Sequence, residues 1–104
     1  MEKLIIHTGL FNRITNTVEI LGDLTFTNKQ MFELGKNLLL PEKDKREVFT
    51  NNAQIIEGLK YNILNKKIDP SKIIIIFYQN EIYTHKLWLK SDGKFNYYPQ
   101  GLLE

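Results

Sequence analysis

Residues 48–78 read VFTNNAQIIEGLKYNILNKKIDPSKIIIIFY, and the order of elements in this stretch decides the fold. REVFT at 46–50 has the β-branched and aromatic content of a strand. Asn51 or Asn52 then supplies a helix cap, and Ile56, Leu59 and Ile63 recur on one face of a helix predicted over 53–66. Asp69-Pro70 marks a turn, and the apolar run at 72–78 is the next strand. Strand, helix and strand make a βαβ unit, whose strands run parallel and whose crossover is right-handed. The all-apolar IIIIF suits a central strand covered on both faces. Open sheets bind ligands at the carboxyl ends of parallel strands, which would put Thr50, Asn51 and Asn52 beside any ligand.

Outward from this unit the pattern continues in both directions. Gln79-Asn80-Glu81 turns the chain into a strand, IYTHKLWLK, and Asp92-Gly93 is a hairpin signal leading into FNYY. These two segments are expected to add antiparallel edge strands, ended by Pro99 and Gly101. Towards the N-terminus, LIIH at 4–7 reads as a first strand. VEIL, Gly22-Asp23 and LTFT read as a hairpin over 17–27. Thr27 and Gln30 have the spacing of a capping box, so a helix is expected from Asn28 to about Leu40, stopped by Pro41. Gly35 should weaken that helix by roughly 1 kcal/mol relative to alanine. PEKDKRE at 41–47 is a solvated charged loop. The expected class is α/β: one small domain over 1–104, with a mixed β-sheet. The βαβ unit is followed by antiparallel edge strands, with two main helices and with 1–45 read as a hairpin and a helix.

The composition bounds the chemistry. A chain of 104 residues with 42% hydrophobic and 25% charged residues has an ordinary globular balance. It has no cysteine, which excludes disulfides, zinc–thiolate sites and cysteine nucleophiles. The longest apolar run, at 73–78, is far short of the ~20 residues of a membrane span, and no secretory signal is read at the N-terminus. A cytoplasmic protein is expected. Residues 1–50 carry seven basic and seven acidic groups and 51–104 carry seven and five, so the net charge of +2 is not gathered into one block. Twelve of the fourteen basic residues are lysine, whereas bidentate phosphate contacts favour arginine.

Neither histidine, His7 nor His85, has an acidic residue at a recognisable metal spacing, and no metal or cofactor is expected. The aromatics Phe77, Tyr78, Tyr83, Trp88, Phe95, Tyr97 and Tyr98 crowd together, interleaved with Lys86, Lys90 and Lys94. Alternation along the strand places Trp88 with Lys86 and Lys90 on one face, and Tyr83, His85, Leu87 and Leu89 on the core face. Tyr83, His85, Lys86, Trp88, Lys90, Tyr97 and Tyr98 are therefore the candidate interface.

The same residues resemble a known family. Thr50-Asn51-Asn52, Ile55-Ile56-Glu57-Gly58-Leu59, Lys67-Ile68-Asp69-Pro70 and Tyr98-Pro99-Gln100-Gly101-Leu102-Leu103 follow one another over roughly 46–104. Their order resembles the C-terminal segment of ABC/SMC-like AAA ATPases of the prokaryotic defence, or overcoming-lysogenization-defect, type. The resemblance implies that Thr50 stands for the threonine of a Thr-His-Ser switch, with Asn51 and Asn52 in place of its histidine and serine. It also implies a segment that ordinarily continues into a helix, which leaves open whether the chain is a complete protein or a truncated descendant. The catalytic parts are missing from the sequence. No GxxxxGK[ST] loop occurs, and no apolar strand ends in an Asp-Glu pair. Asparagine cannot carry the proton of the switch histidine. The expected function is that of a non-catalytic module acting through a protein partner, such as a complete ATPase. Its Thr50, Asn51 and Asn52 would be a relic loop or helix cap, and it would have no catalytic residues. The alternatives are a small inhibitor or immunity-type protein and, less favoured, a single-stranded nucleic-acid binder using the aromatic–lysine strands.

Overall fold

The computed structural model describes residues 3–10, 18–22, 25–38, 45–80 and 82–103. Five strands form one sheet: β1 (Lys3–Gly9), β2 (Val18–Ile20), β3 (Lys45–Phe49), β4 (Ile73–Tyr78) and β5 (Thr84–Leu87), in the order β2-β3-β1-β4-β5. Two helices, α1 (Asn28–Lys36) and α2 (Ala53–Leu64), accompany it. The sheet is mixed: β2, β3, β1 and β4 are parallel, and β5 pairs antiparallel with β4. The α/β class expected from the sequence is the class observed. Among the described residues no helix is long and apolar enough to cross a membrane.

The connections explain the layering. From β2 through α1 to β3, and from β3 through α2 to β4, the chain moves in the same direction along the sheet. Right-handed crossovers therefore put both helices on one face. Register places Ile6 beside Val48 and Ile75, and Ile75 beside Leu87. These residues, with Leu4 and Phe77, are buried in one cluster with Ile55, Ile56, Leu59 and Ile63 of α2. On the opposite face Ile5, Phe49, Ile74 and Ile76 are only half-buried. The strand 73–78 is thus not the doubly covered centre of the sheet that its unbroken apolar run suggests. The centre is β1, and β4 buries alternate residues fully.

The capping box at α1 forms as read: the Thr27 hydroxyl accepts from Gln30 N–H at 3.2 Å and Gln30 Oε1 from Thr27 N–H at 2.7 Å. Among the described residues of 17–27 the pairing of the expected hairpin is not made. Val18–Ile20 instead extends the parallel ladder on β3, Leu21 N–H donates to the Phe49 carbonyl, and Thr25–Thr27 serve as a turn and helix cap. Pairing with an existing strand satisfies more of the segment's main chain than an isolated two-stranded ribbon could. Asp23, Leu24 and most of the charged loop at 41–47 lie outside the described residues. The Asp92-Gly93 hairpin closes, with Lys90 N–H on the Lys94 carbonyl. Beyond it only one antiparallel bridge, Leu89 to Phe95, is formed, so FNYY is not a full edge strand.

The helices touch at two glycines. A Cβ on Gly35 would overlap the Ile55 carbonyl oxygen, and one on Gly58 would overlap the Phe32 carbonyl oxygen and lie 2.8 Å from Lys36 N. Gly35 is therefore the contact that lets α1 lie against α2, whatever it costs in helix propensity. The buried Asn62 side chain of α2 donates to the Lys36 carbonyl and so caps the end of α1. Gly58→Ala should destabilise the protein by about 1–3 kcal/mol through overpacking. In chemical denaturation, a rise in stability, as expected of alanine in an open helix, would refute the close-contact reading.

Candidate functional site

β1 is followed in sequence by β2, on one side of it, and the neighbouring β3 is followed by β4, on the other. This reversal makes a topological switch point, and the crevice between the carboxyl ends of β1 and β3 is where open α/β sheets take ligands. Here Asn51 fills it. Its Oδ1 accepts from the Thr8 hydroxyl at 2.9 Å and from Gly9 N–H at 2.6 Å, while its Nδ2 donates to the Gly9 carbonyl at 3.3 Å. Thr50 is buried, its N–H donates to the His7 carbonyl at 3.0 Å, and its hydroxyl accepts from Asn52 N–H at 3.1 Å. Asn52 is the N-cap of α2, accepting from Gln54 N–H at 2.9 Å. The two asparagines thus divide the work: Asn52 is the cap, and Asn51 clasps β1 to the end of β3.

Anion sites need free main-chain donors. At this crevice Gly9 N–H is held by Asn51, Thr50 N–H by His7 and Leu10 N–H by the Tyr78 carbonyl at 2.8 Å. Gly9 itself sits at φ +89°, and a Cβ there would lie 2.5 Å from the Tyr78 oxygen, so the strand end tolerates only glycine. Beside the crevice lies a cleft of about 360 Å³, lined by uncharged groups that include Asn51, Gln79, Gln100 and Gly101.

Sequence reasoning missed a second constellation on the other face of the sheet. His7 is buried and lies between Glu47, with Nε2 to Oε1 3.0 Å, and Tyr78, with Nδ1 to the hydroxyl 2.8 Å. The carboxylate can only accept, so Nε2 carries a proton, and on the neutral ring Nδ1 accepts from the Tyr78 hydroxyl. The hydrogen bond from His7 holds the Glu47 carboxyl below its usual range, against the opposing effect of burial and with help from Lys45. The three residues come from β3, β1 and β4, and their hydrogen bonds tie those three strands together on this face. Residues 40 and 71 positions apart meet only through strand order, so no local motif announces them. Among the described residues no cluster of three or more His, Cys, Asp or Glu could hold a metal ion.

The candidate interface divides between two faces. Lys86, Trp88 and Lys90 are exposed while Leu87 and Leu89 are buried, as the alternation predicts. His85, on the face of Phe77, stacks over that ring at 6.0 Å. It takes Tyr97 on Nδ1 and Gln79 on Nε2, both at 2.9 Å. Tyr98 turns towards α2, edge-on to Phe95 and 3.3 Å from Lys60 Nζ. Tyr83 is not a core residue as its place in the alternation suggests: it lies in the turn before β5, its carbonyl accepts from Gln79 N–H, and it is 62% exposed. No family model, curated protein or solved structure matches the chain.

Two outcomes follow from this geometry. Asn51→Ala leaves the Thr8 hydroxyl and Gly9 N–H without their acceptor and should lower stability by about 1–3 kcal/mol in denaturant titration. Asn51→Asp, which keeps the acceptor, should cost less. Because Glu47 titrates below its ordinary value of 4.5, its contribution is complete above that pH and is lost as pH falls through the lowered value. Stability curves for Glu47→Gln and the unaltered protein should therefore differ near neutrality and converge in acid; parallel curves would refute the linkage.

Proposed function

We propose that this chain is a non-catalytic protein-binding module, and that it acts through another protein. The observation that carries this reading is the surface of residues 82–98, where Ile82, Tyr83, Trp88, Tyr97 and Tyr98 are 83%, 62%, 53%, 45% and 62% exposed. Scattered exposed hydrophobics need no explanation, but five large ones within one short segment, spread over both sides of the β5 edge, are a concentration of the kind found at interaction sites. Tyrosine and tryptophan are also the side chains that most often carry interface energy.

The saturated crevice supports the non-catalytic half of the reading. A switch residue must be able to exchange its partners, whereas the side-chain oxygen and nitrogen of Asn51 are both spent on β1. That fits a relic loop descended from a defence-type ATPase and retained as a clasp, and it makes a complete ATPase a natural partner class. A small inhibitor would use the same surface. The nucleic-acid alternative has one favourable feature, Trp88 between Lys86 and Lys90 on a single face.

A photo-crosslinking amino acid at position 88 distinguishes these readings. In the native cell it should yield covalent protein adducts that are missing from the same probe at the exposed Asn65. Adducts with nucleic acid alone would move the function to the alternative, and equal labelling at both positions would end the binding-module reading. Calorimetric titration with ATP and magnesium should give no heat of binding; a saturable exotherm would overturn the non-catalytic assignment.

A further inference from the structure

β5 is one of the two edge strands of the sheet, opposite β2, and its hydrogen-bonding phase can be read from its partner. Gln79 N–H donates to the Tyr83 carbonyl at 3.1 Å, and the register then pairs Phe77 with His85 and Ile75 with Leu87. In an antiparallel ladder the main-chain groups of alternate residues point the same way. Those of Tyr83, His85 and Leu87 therefore face β4, and those of Thr84 and Lys86 face outward.

Further along, the chain covers this outward edge itself. Lys90 N–H donates to the Lys94 carbonyl at 2.8 Å and Asn96 N–H to the Trp88 carbonyl at 3.0 Å. The cover stops there. Trp88 N–H is taken at 3.0 Å by the Asn96 side-chain oxygen rather than by a main-chain carbonyl. The chain then leaves the edge, with the Tyr97 hydroxyl on His85 and the Gln100 carbonyl on the Gln79 side chain. Among the described residues no main-chain strand lies along Thr84–Lys86. This open stretch is bounded by Ile82 and Tyr83 before it and Trp88 after it, all more than half exposed.

We infer that the edge at Thr84–Lys86 takes up an extended segment of a partner protein by strand addition, and that this segment carries carboxylates. The inference rests on the binding-module reading above and specifies how that surface is used. Charge selects the occupant. Residues 82–90, IYTHKLWLK, hold two lysines and no acidic residue, and Lys86 and Lys90 project from the same face as Trp88. A second copy pairing antiparallel on the same edge would bring its own Lys86 close to this one, and an edge lysine is a common device against such self-pairing. An incoming strand with acidic residues at alternate positions would instead place carboxylates beside Lys86 while its main chain satisfies Thr84 and Lys86.

The test uses the full chain as bait for a display library of random twelve-residue peptides, with the enriched peptides then synthesised. Enriched sequences should place Asp or Glu at alternate positions, and their binding should weaken with salt. Binding should protect the Thr84 and Lys86 amides from hydrogen exchange by about tenfold or more, a sign of new main-chain bonds. Lys86→Pro removes an outward N–H that the β4 ladder does not use, so it should weaken binding by about tenfold. Unchanged exchange at Ile75 and Phe77 would show that the sheet persists in that variant. If Lys86→Pro does not fold, the protection of Thr84 and Lys86 in the unaltered protein still decides the matter. Peptides that lose binding with Trp88→Ala but leave the Thr84 and Lys86 amides unprotected would refute strand addition while leaving the binding-module reading standing. Enrichment of neutral or basic sequences, or no enrichment, would refute the proposal.

Discussion

The arrangement depends on β1 lying between β3 and β4. It pairs in parallel on both sides, through five residues with β3 and six with β4. Because β3 and β4 are consecutive in the chain but not neighbours in the sheet, α2 must pass over β1 to join them. That crossing is what lays Ile55, Ile56, Leu59 and Ile63 on Leu4 and Ile6. The close contact at Gly35 and Gly58 then brings α1 down beside α2, so both helices serve one face. A core assembled this way is non-local: its central strand and its covering helix are separated by more than forty residues of sequence. Closing such contacts costs chain entropy, which the burial of the core must offset.

The same insertion creates the switch-point crevice and determines what becomes of it. β1 and β3 part company at their carboxyl ends, where a ligand would ordinarily supply or accept the missing hydrogen bonds. Here the chain supplies them itself, through Asn51 to Thr8 and Gly9 and through Thr50 N–H to His7. On the opposite face His7 ties Glu47 of β3 to Tyr78 of β4. One clasp lies at the strand ends and the other across the sheet. These bonds stabilise the sheet most where they hold buried groups, the Thr8 hydroxyl in one set and His7 in the other.

What the sequence revealed follows from the range of the interactions involved. The capping box at Thr27 and Gln30, the presence of an asparagine cap at 51–52 and the buried alternation of Leu87 and Leu89 are local and readable from spacing alone, although spacing leaves open which of Asn51 and Asn52 is the cap. β2 was misread because Gly22-Asp23 is a good turn signal, and only the presence of β3 beside it makes parallel pairing the better use of Val18–Ile20. Gly35 was legible as a weak point in a helix but not as a contact, since its reason is a carbonyl on another helix. The roles of His7 and Asn51 were hidden for the same cause. A histidine with no acidic neighbour in sequence found one through strand register, and an asparagine beside a helix start proved to reach backward to β1 rather than forward into α2.

The edge at β5 contrasts with the end of α1, whose last carbonyls include one that the buried Asn62 caps from another helix. An exposed strand edge is a hazard that proteins limit by shortness and by lysine, and β5 shows both devices: four residues, with Lys86 on it. Yet the flanking Ile82, Tyr83 and Trp88 are large and exposed, which is a poor way to discourage association. Lysine and brevity oppose pairing with a like-charged copy, whereas exposed aromatics favour contact in general. Taken together they discriminate by charge rather than suppress binding, because an acidic strand meets the attraction without the repulsion. At the carboxyl end of β1 the chain spends its own Asn51 on Thr8 and Gly9, whereas along Thr84–Lys86 the main-chain groups that face outward meet no other main chain among the described residues.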